Sequence, residues 1–288
     1  SNKGLAHLME IFLNGQFMTE EDAKVSVFDR SFLYGDGVFE TLRLYNGKPF
    51  LLDRHLGRLA HSLGSLYIGD PYDFDQWNEY VRELITRNSA KESILRIQVS
   101  RGVGKRGYTS SGNYSPTTVI SLHDAPPPSD NNTQLDLVTA TGILTDHDPL
   151  STLKTSNKLV NIIAMREAER AGAHDALLLN GKGFATETSS SNIFAILGTK
   201  LKTPPLNSGC LSGITRGYIL ELAIELGIET TQEDLGYDQL KSCEGLFLTN
   251  SVREIQAVKS LDGEPIRQSS LTVQLQQAYR QKVLEVTS

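Results

Sequence analysis

The chain of 288 residues predicts an α+β fold in two domains, on three observations. Strand and helix patterns alternate without regular βα units, β-hairpins recur, and a proline-rich break falls near the middle. That break, "DAPPPSDNN", sets three successive prolines before four polar residues, which neither a helix nor a central strand can accommodate. It is expected to be a linker over 124–133, between a smaller N-terminal α/β domain over 9–123 and a larger C-terminal domain over 134–288.

The elements follow in order. "MEIFLNGQFM" reads as strand, turn and strand, because Asn14-Gly15 tolerates the positive φ of a tight hairpin. "GVFETLRLYNGKPFLL" repeats the pattern around Asn46-Gly47. "DRHLGRLAHSLGSL" carries Leu56, Leu59, Ala60 and Leu63 at helical spacing, and a second helix is expected over Asp75 to Thr86. "SILRIQVS" and "TTVISLH" read as paired strands around the loop "RGVGKRGYTSSGNYSP". Beyond the linker come strand "LDLVTA", a helix from Asn157 to Ala171, the hairpin "DALLLNGKGFAT" and strand "NIFAI". The turn-rich "TPPLNSGCLSG", a helix from Thr215 to Leu226, strand "GLFLTN" and a short helix near Ser270 to Leu284 complete the chain. The stretch "SNKGLAHL" before Met9 is given no role in the fold.

Hydrophobic residues make up 39% and charged residues 22%, the composition of an ordinary globular protein. A formal net charge of −6 argues against nucleic acid as a partner, while leaving room for a local basic pocket. No apolar run approaches the ~18 residues of a membrane span, and no secretory signal pattern is present. Two cysteines, Cys210 and Cys243, are too few for a disulfide framework, and no metal-ligand spacing occurs among the six histidines. A reducing, cytoplasmic setting and no metal are expected.

Several residues stand out as candidates for chemistry. Lys154, in "STLKTSNKLVNII", lies just before a helix expected to turn Leu159, Ile162, Ile163, Met165 and Ala168 to a core, with Thr155 or Ser156 as its cap. That packing would anchor the lysine and strip water from its amine, readying it for carbonyl chemistry; a surface lysine is the plain alternative. Glu187, in "FATETSSSNIFAI", precedes Thr188, Ser189, Ser190 and Ser191, hydroxyls that could satisfy a buried acid; a solvated turn is the alternative. In "SGITRGYILELAIELG", Gly213 permits close approach of a ligand, and Thr215 could cap a helix whose free N–H groups attract an anion. Asn250 and Ser251, in "FLTNSVREI", follow a strand and offer a second edge to such an anion site. Arg58 reads locally as an ordinary helix arginine that could reach a phosphate. "SRGVGKRGY" is a glycine-rich basic loop whose arginines suit a carboxylate, or simply a solvated hairpin tip. "YGDGVFETLRL" is not a dinucleotide fingerprint.

Taken together and in this order, "DRSFLYGDGVFETLR", "LKTSNKLVN", "ETSSSNIF", "LSGITR" and "TNSVREI" resemble the class IV aminotransferases, the fold-type IV pyridoxal 5'-phosphate (PLP) enzymes. The likeness runs from about Met9 to "VKSLDGEPI". The family includes branched-chain and D-amino-acid aminotransferases and 4-amino-4-deoxychorismate lyase. The resemblance implies PLP bound between the two domains and joined covalently to Lys154, with Glu187 at its pyridine nitrogen. Its phosphate would be held by Arg58, the Ile214 backbone N–H, Thr215 and Ser251, beside Asn250. It also implies a homodimer acting on a small amino substrate that bears a carboxylate. "SRGVGKRGY" and Thr41 resemble the lyases most closely. Arg106 would then hold a substrate carboxylate, with Arg101 and Tyr108 as helpers. Branched-chain aminotransferases tend to have glycine at the position of Thr41, and D-amino-acid aminotransferases tyrosine and histidine where Phe39 and Tyr108 stand. The expected reaction is conversion of 4-amino-4-deoxychorismate to 4-aminobenzoate and pyruvate, with transamination of D- or branched-chain amino acids as the alternative.

Overall fold

The computed structural model describes residues 8–128 and 130–288. The stretch before Leu8, and Ser129 within the expected linker, lie outside the described residues. The chain divides into two compact units. The first runs up to Ala125 and takes in Lys154–Asn157 and Thr287–Ser288; the second comprises Pro126–Leu153 and Lys158–Val286.

In the first unit the elements are β1 (Glu10–Leu13), β2 (Gln16–Thr19), α1 (Arg30–Tyr34), β3 (Gly37–Tyr45), β4 (Lys48–Pro49), α2 (Leu52–Ser65), α3 (Phe74–Arg87), β5 (Ser93–Ser100) and β6 (Thr117–Asp124). They form an antiparallel sheet of order β2-β1-β6-β5-β3-β4. Both Asn-Gly pairs sit at positive φ, 49° and 89° at Asn14-Gly15 and 50° and 76° at Asn46-Gly47, and each joins adjacent antiparallel strands. Strand alternation then decides what is buried. Val38, Leu42 and Leu44 of β3 enter a core with Leu56, Leu59 and Leu63 of α2 and Trp77, Val81 and Leu84 of α3. The side chains at 39, 41 and 43 point to the other face.

The second unit contains β7 (Gln134–Leu144), α4 (Leu159–Arg170), β8 (Asp175–Asn180), β9 (Ala185–Thr188), β10 (Asn192–Leu197), β11 (Lys200–Thr203), α5 (Ile214–Glu225), β12 (Thr230–Gln232), α6 (Tyr237–Ser242), β13 (Gly245–Asn250), β14 (Glu254–Leu261), β15 (Glu264–Pro265) and α7 (Ser270–Thr287). Its strands run β12-β11-β10-β13-β14-β7-β8-β9, and β9 pairs back onto β10 through Glu187 and Asn192. Six strands therefore close on themselves, and Glu187 stands at the closure.

Helix α4 departs from expectation. Its buried residues are Ala164 and Ala168, which pack on Ala140, Ala176 and Leu178, whereas Leu159, Ile162 and Ile163 are exposed. Small residues at i and i+4 let the helix lie close to the sheet, so the large apolar side chains face away. The helix starts at Leu159 with no side-chain cap, so neither Thr155 nor Ser156 caps it.

Candidate active site

Lys154 is fixed by β-pairing rather than by helix packing. Its carbonyl accepts from Phe39 N at 3.0 Å, Thr155 bridges Val38, and Ser156 N donates to the Gly37 carbonyl at 2.9 Å. The segment thus extends the first unit's sheet beyond β3. Two side-chain bonds reinforce it: Gln98 Nε2 to Ser156 Oγ at 2.7 Å, and Asn157 Nδ2 to the Gly35 carbonyl at 2.9 Å. The half-buried Lys154 amine lies 4.7 Å from the centre of the Phe39 ring.

On the core side of β3 is a buried ionic cluster. Arg58 grips Glu40 with two bonds, Nε to Oε1 and Nη2 to Oε2, each 2.8 Å, and His55 Nδ1 meets Oε2 at 2.6 Å. Burial pushes the Glu40 carboxyl up, but the charge and hydrogen bonds of Arg58, together with His55, outweigh it and hold the group at about 2. Burial drives the His55 pKa down, against the pull of Glu40 and with the help of the Arg58 and Lys154 charges. A neutral His55 must donate from Nδ1 to the carboxylate, which fixes its tautomer.

In the second unit the candidate residues converge through a short chain of contacts. Leu211 N donates to Glu187 Oε2 at 2.8 Å, and Asn192 Nδ2 donates to the Leu211 carbonyl at 2.9 Å. The hydroxyls after Glu187 serve elsewhere: Thr188 bonds Asp175 at 2.8 Å and Ser191 accepts from Asn250 at 2.9 Å. Gly213, not Thr215, is the cap residue of α5, and Ile214 and Thr215 open its first turn. A Cβ on Gly213 would stand 2.0 Å from Asn192 Oδ1, so only glycine permits this approach. Thr215 Oγ1 and Ser251 Oγ lie 3.2 Å apart at the helix start. Asn250 shapes the turn that carries Ser251, its Oδ1 accepting from Val252 N at 2.9 Å and Arg253 N at 2.7 Å. The turn ends at Glu254, held at φ 63° and ion-paired with Arg280 at 2.8 Å.

The basic loop is anchored. Arg101, expected to help Arg106 hold a substrate carboxylate, is buried. It binds Asp36 through Nε at 2.7 Å and Nη2 at 3.1 Å, and donates to the Leu66 and Tyr67 carbonyls. Burial raises the Asp36 pKa, and bonds from Arg101 and Arg30 more than reverse this, leaving it lowered. Arg30 also donates to the Lys105 and Gly107 carbonyls at 3.0 and 2.9 Å. Arg106 and Tyr108 remain exposed on this frame, Tyr108 edge-on to Tyr34.

Sequence reading had missed Glu40, His55 and Arg30. For Glu40 the signal was present: an acid between Val38 and Leu42 on the inward register needs a cation, and His55 and Arg58 are three apart on the facing helix.

The chemistry of this donor set fits a phosphorylated pyridine aldehyde. The first unit offers an amine on a segment paired to β3, and the second offers a carboxylate held by a backbone N–H and a helix start at Gly213 with two hydroxyls. The amino-transferase class IV family model matches residues 37–261, and the chain belongs to that family. It is a PLP-dependent enzyme. A provisionally named branched-chain-amino-acid aminotransferase of Methanocaldococcus jannaschii is 38% identical over 90% of both chains. The aminodeoxychorismate lyase of Bacillus subtilis is 33% identical, over 85% of this chain and 84% of its own. Among solved structures, the branched-chain amino acid aminotransferase of Escherichia coli superposes with a TM-score of 0.90 at 27% identity, covering 95% of this chain and 94% of that one. Among the described residues no helix is long and apolar enough to cross a membrane.

Proposed function

We propose that the enzyme converts 4-amino-4-deoxychorismate to 4-aminobenzoate and pyruvate. The observation that carries this reading is the place of Thr41. It lies two residues beyond Phe39 on β3, on the same face by strand alternation, and Phe39 is the ring against which the Lys154 amine rests. A hydroxyl at that position can stabilise a departing enolpyruvyl oxygen, a task that amino transfer does not pose.

PLP, when bound, supplies an electron sink for the amine-bearing carbon of the substrate. Lys154 would be its covalent anchor and the base that takes the proton from that ring carbon. The bond between the ring carbon and the enolpyruvyl oxygen would then break and the ring would become aromatic; the released enolpyruvate takes up a proton at its methylene carbon to become pyruvate, which balances the proton removed by Lys154, with no other reactant consumed. Glu187 would be the acid partner of the pyridine nitrogen and would keep it protonated. Arg58, Ile214 N–H, Thr215 and Ser251 would hold the phosphate, and Asn250 sets the turn that presents Ser251. Arg106 takes a substrate carboxylate, assisted by Tyr108. The same reading makes the protein a homodimer, which the exposed Leu159, Ile162 and Ile163 of α4 support.

Transamination of branched-chain or D-amino acids is the second reading, favoured by the 38% identical relative. One experiment separates the two. PLP-loaded protein is given 4-amino-4-deoxychorismate in one arm, and leucine or D-alanine with 2-oxoglutarate in the other. Release of 4-aminobenzoate by the wild type and not by Lys154→Ala is expected. Transamination alone would favour the second reading, and neither product would overturn both, leaving a protein that binds PLP without turnover.

A further inference from the structure

Asn192 is buried at the start of β10, where β9 pairs back onto that strand through Glu187 and Asn192. Residues directly opposite one another share a face of the sheet, so the two side chains are neighbours. They meet again at Leu211, which belongs to no strand or helix. Its N–H donates to Glu187 Oε2 at 2.8 Å, and its carbonyl accepts from Asn192 Nδ2 at 2.9 Å. Both backbone polar groups of Leu211 are therefore gripped by one row of the sheet. The same carbonyl accepts from Gly213 N at 2.9 Å, which closes a three-residue turn over 211–213. That turn runs directly into α5, whose cap residue is Gly213.

A backbone N–H outside any strand or helix holds a carboxylate only as firmly as its own segment is held. A three-residue turn has a single internal hydrogen bond, and that bond leaves the direction of its first N–H loosely set. The Asn192 amide supplies a second restraint, and it comes from the residue already paired with Glu187. Without it Leu211 can rotate, and the Glu187 carboxylate gains orientations that miss a ring nitrogen. A charged acceptor is most effective when it is aimed before its partner arrives, because no reorganisation is then needed.

We propose that Asn192 is a positioning residue, which holds Leu211 so that the Leu211 N–H aims the Glu187 carboxylate at the pyridine nitrogen. This rests on the reading of Glu187 as the acid partner of that nitrogen, and it holds for the lyase and the transaminase alike.

The test is equilibrium binding of two aldehydes to the full-length protein after its PLP has been removed. One is PLP itself; the other is 1-deaza-PLP, in which a C–H replaces the ring nitrogen. Both carry the same phosphate and the same aldehyde for Lys154, so the ratio of their affinities isolates the nitrogen. Wild-type protein is expected to prefer PLP. Asn192→Ala should reduce that preference by about 5- to 20-fold, part of the worth of a charged hydrogen bond, and leave 1-deaza-PLP within about twofold of wild type. Glu187→Gln should reduce the preference at least as far, and adding Asn192→Ala to it should change nothing more, because both act on one nitrogen. Thermal unfolding should show the variants folded. Asn192→Leu, which keeps the shape and loses the donor, takes the place of Asn192→Ala if the latter does not fold. Equal weakening of both aldehydes would give Asn192 a purely structural role and overturn the proposal. So would an unchanged preference in Asn192→Ala alongside a reduced one in Glu187→Gln, which leaves the reading of Glu187 standing. A preference that Glu187→Gln does not move would overturn that reading first, and the role of Asn192 with it.

Discussion

Glu40 shows how much one buried side chain determines. Its carboxylate is the common acceptor for Arg58 and His55, both nearly inaccessible to water, so neutralising it leaves a buried guanidinium with its charge uncompensated. Glu40→Gln is expected to cost about 3–5 kcal/mol of stability at neutral pH, the range for breaking one side of a buried pair. The sign of its pH dependence follows from the shift. The folded pKa is about 2 against an ordinary 4.5, so the stabilisation is complete above about pH 4.5 and fades as pH falls toward 2. Urea unfolding of both proteins at a series of pH values checks this: the gap should be constant above pH 4.5 and narrow below it. A gap that widened on acidification would mean that the carboxylate is not the charged partner. Sequence reading found Arg58 and aimed it at a phosphate. It did not find the acid that orients it, because that signal shows only when the strand register of Glu40 is combined with the spacing of His55 and Arg58 on the helix.

At the scale of elements, local chemistry was readable and long-range pairing was not. The Asn14-Gly15 and Asn46-Gly47 turns, the stripe of α2 and the strand pair β5–β6 follow from residues a few positions apart, and their signals are strong. The anchoring of Lys154 follows from pairing with β3, more than a hundred residues earlier, and no local pattern reports it. The same holds for the glycine-rich basic loop, for which a solvated hairpin tip was one of the two readings. In the fold its glycines permit close packing: a Cβ on Gly102 would lie 1.9 Å from the Ser115 carbonyl oxygen, and Gly102 has φ 95°. Arg30 ties the loop down at Lys105 and Gly107. Arg30→Gln should therefore release it, exposing the bonds after Lys105 and Arg106 to trypsin. Faster nicking at those two sites is expected, alongside weaker substrate binding and an unchanged PLP absorbance spectrum. Cleavage at the wild-type rate would show that Asp36 and Arg101 hold the loop without Arg30.

For the molecule as a whole, the apolar pattern of α4 could be read from sequence, but its direction could not. Periodicity finds a stripe; it does not say whether a sheet of the same chain or another surface covers it. Here the alanines face the sheet, and Leu159 is 73% exposed, with Ile162 and Ile163 each at 54%. Three large side chains turned outward on successive turns of one helix form a patch of the kind that folded chains rarely leave in water. A second copy would bury it at about 25 cal/mol per Å² of apolar surface. Sedimentation equilibrium should thus find a dimer, and the double variant Leu159→Glu with Ile162→Glu should shift it to monomer, because two charges would lose hydration at the contact. The variant's isolated fold should persist, since neither side chain enters the alanine contact beneath the helix. A dimer of undiminished affinity in that variant would locate the subunit contact elsewhere on the protein and leave the exposed face of α4 without an assigned partner.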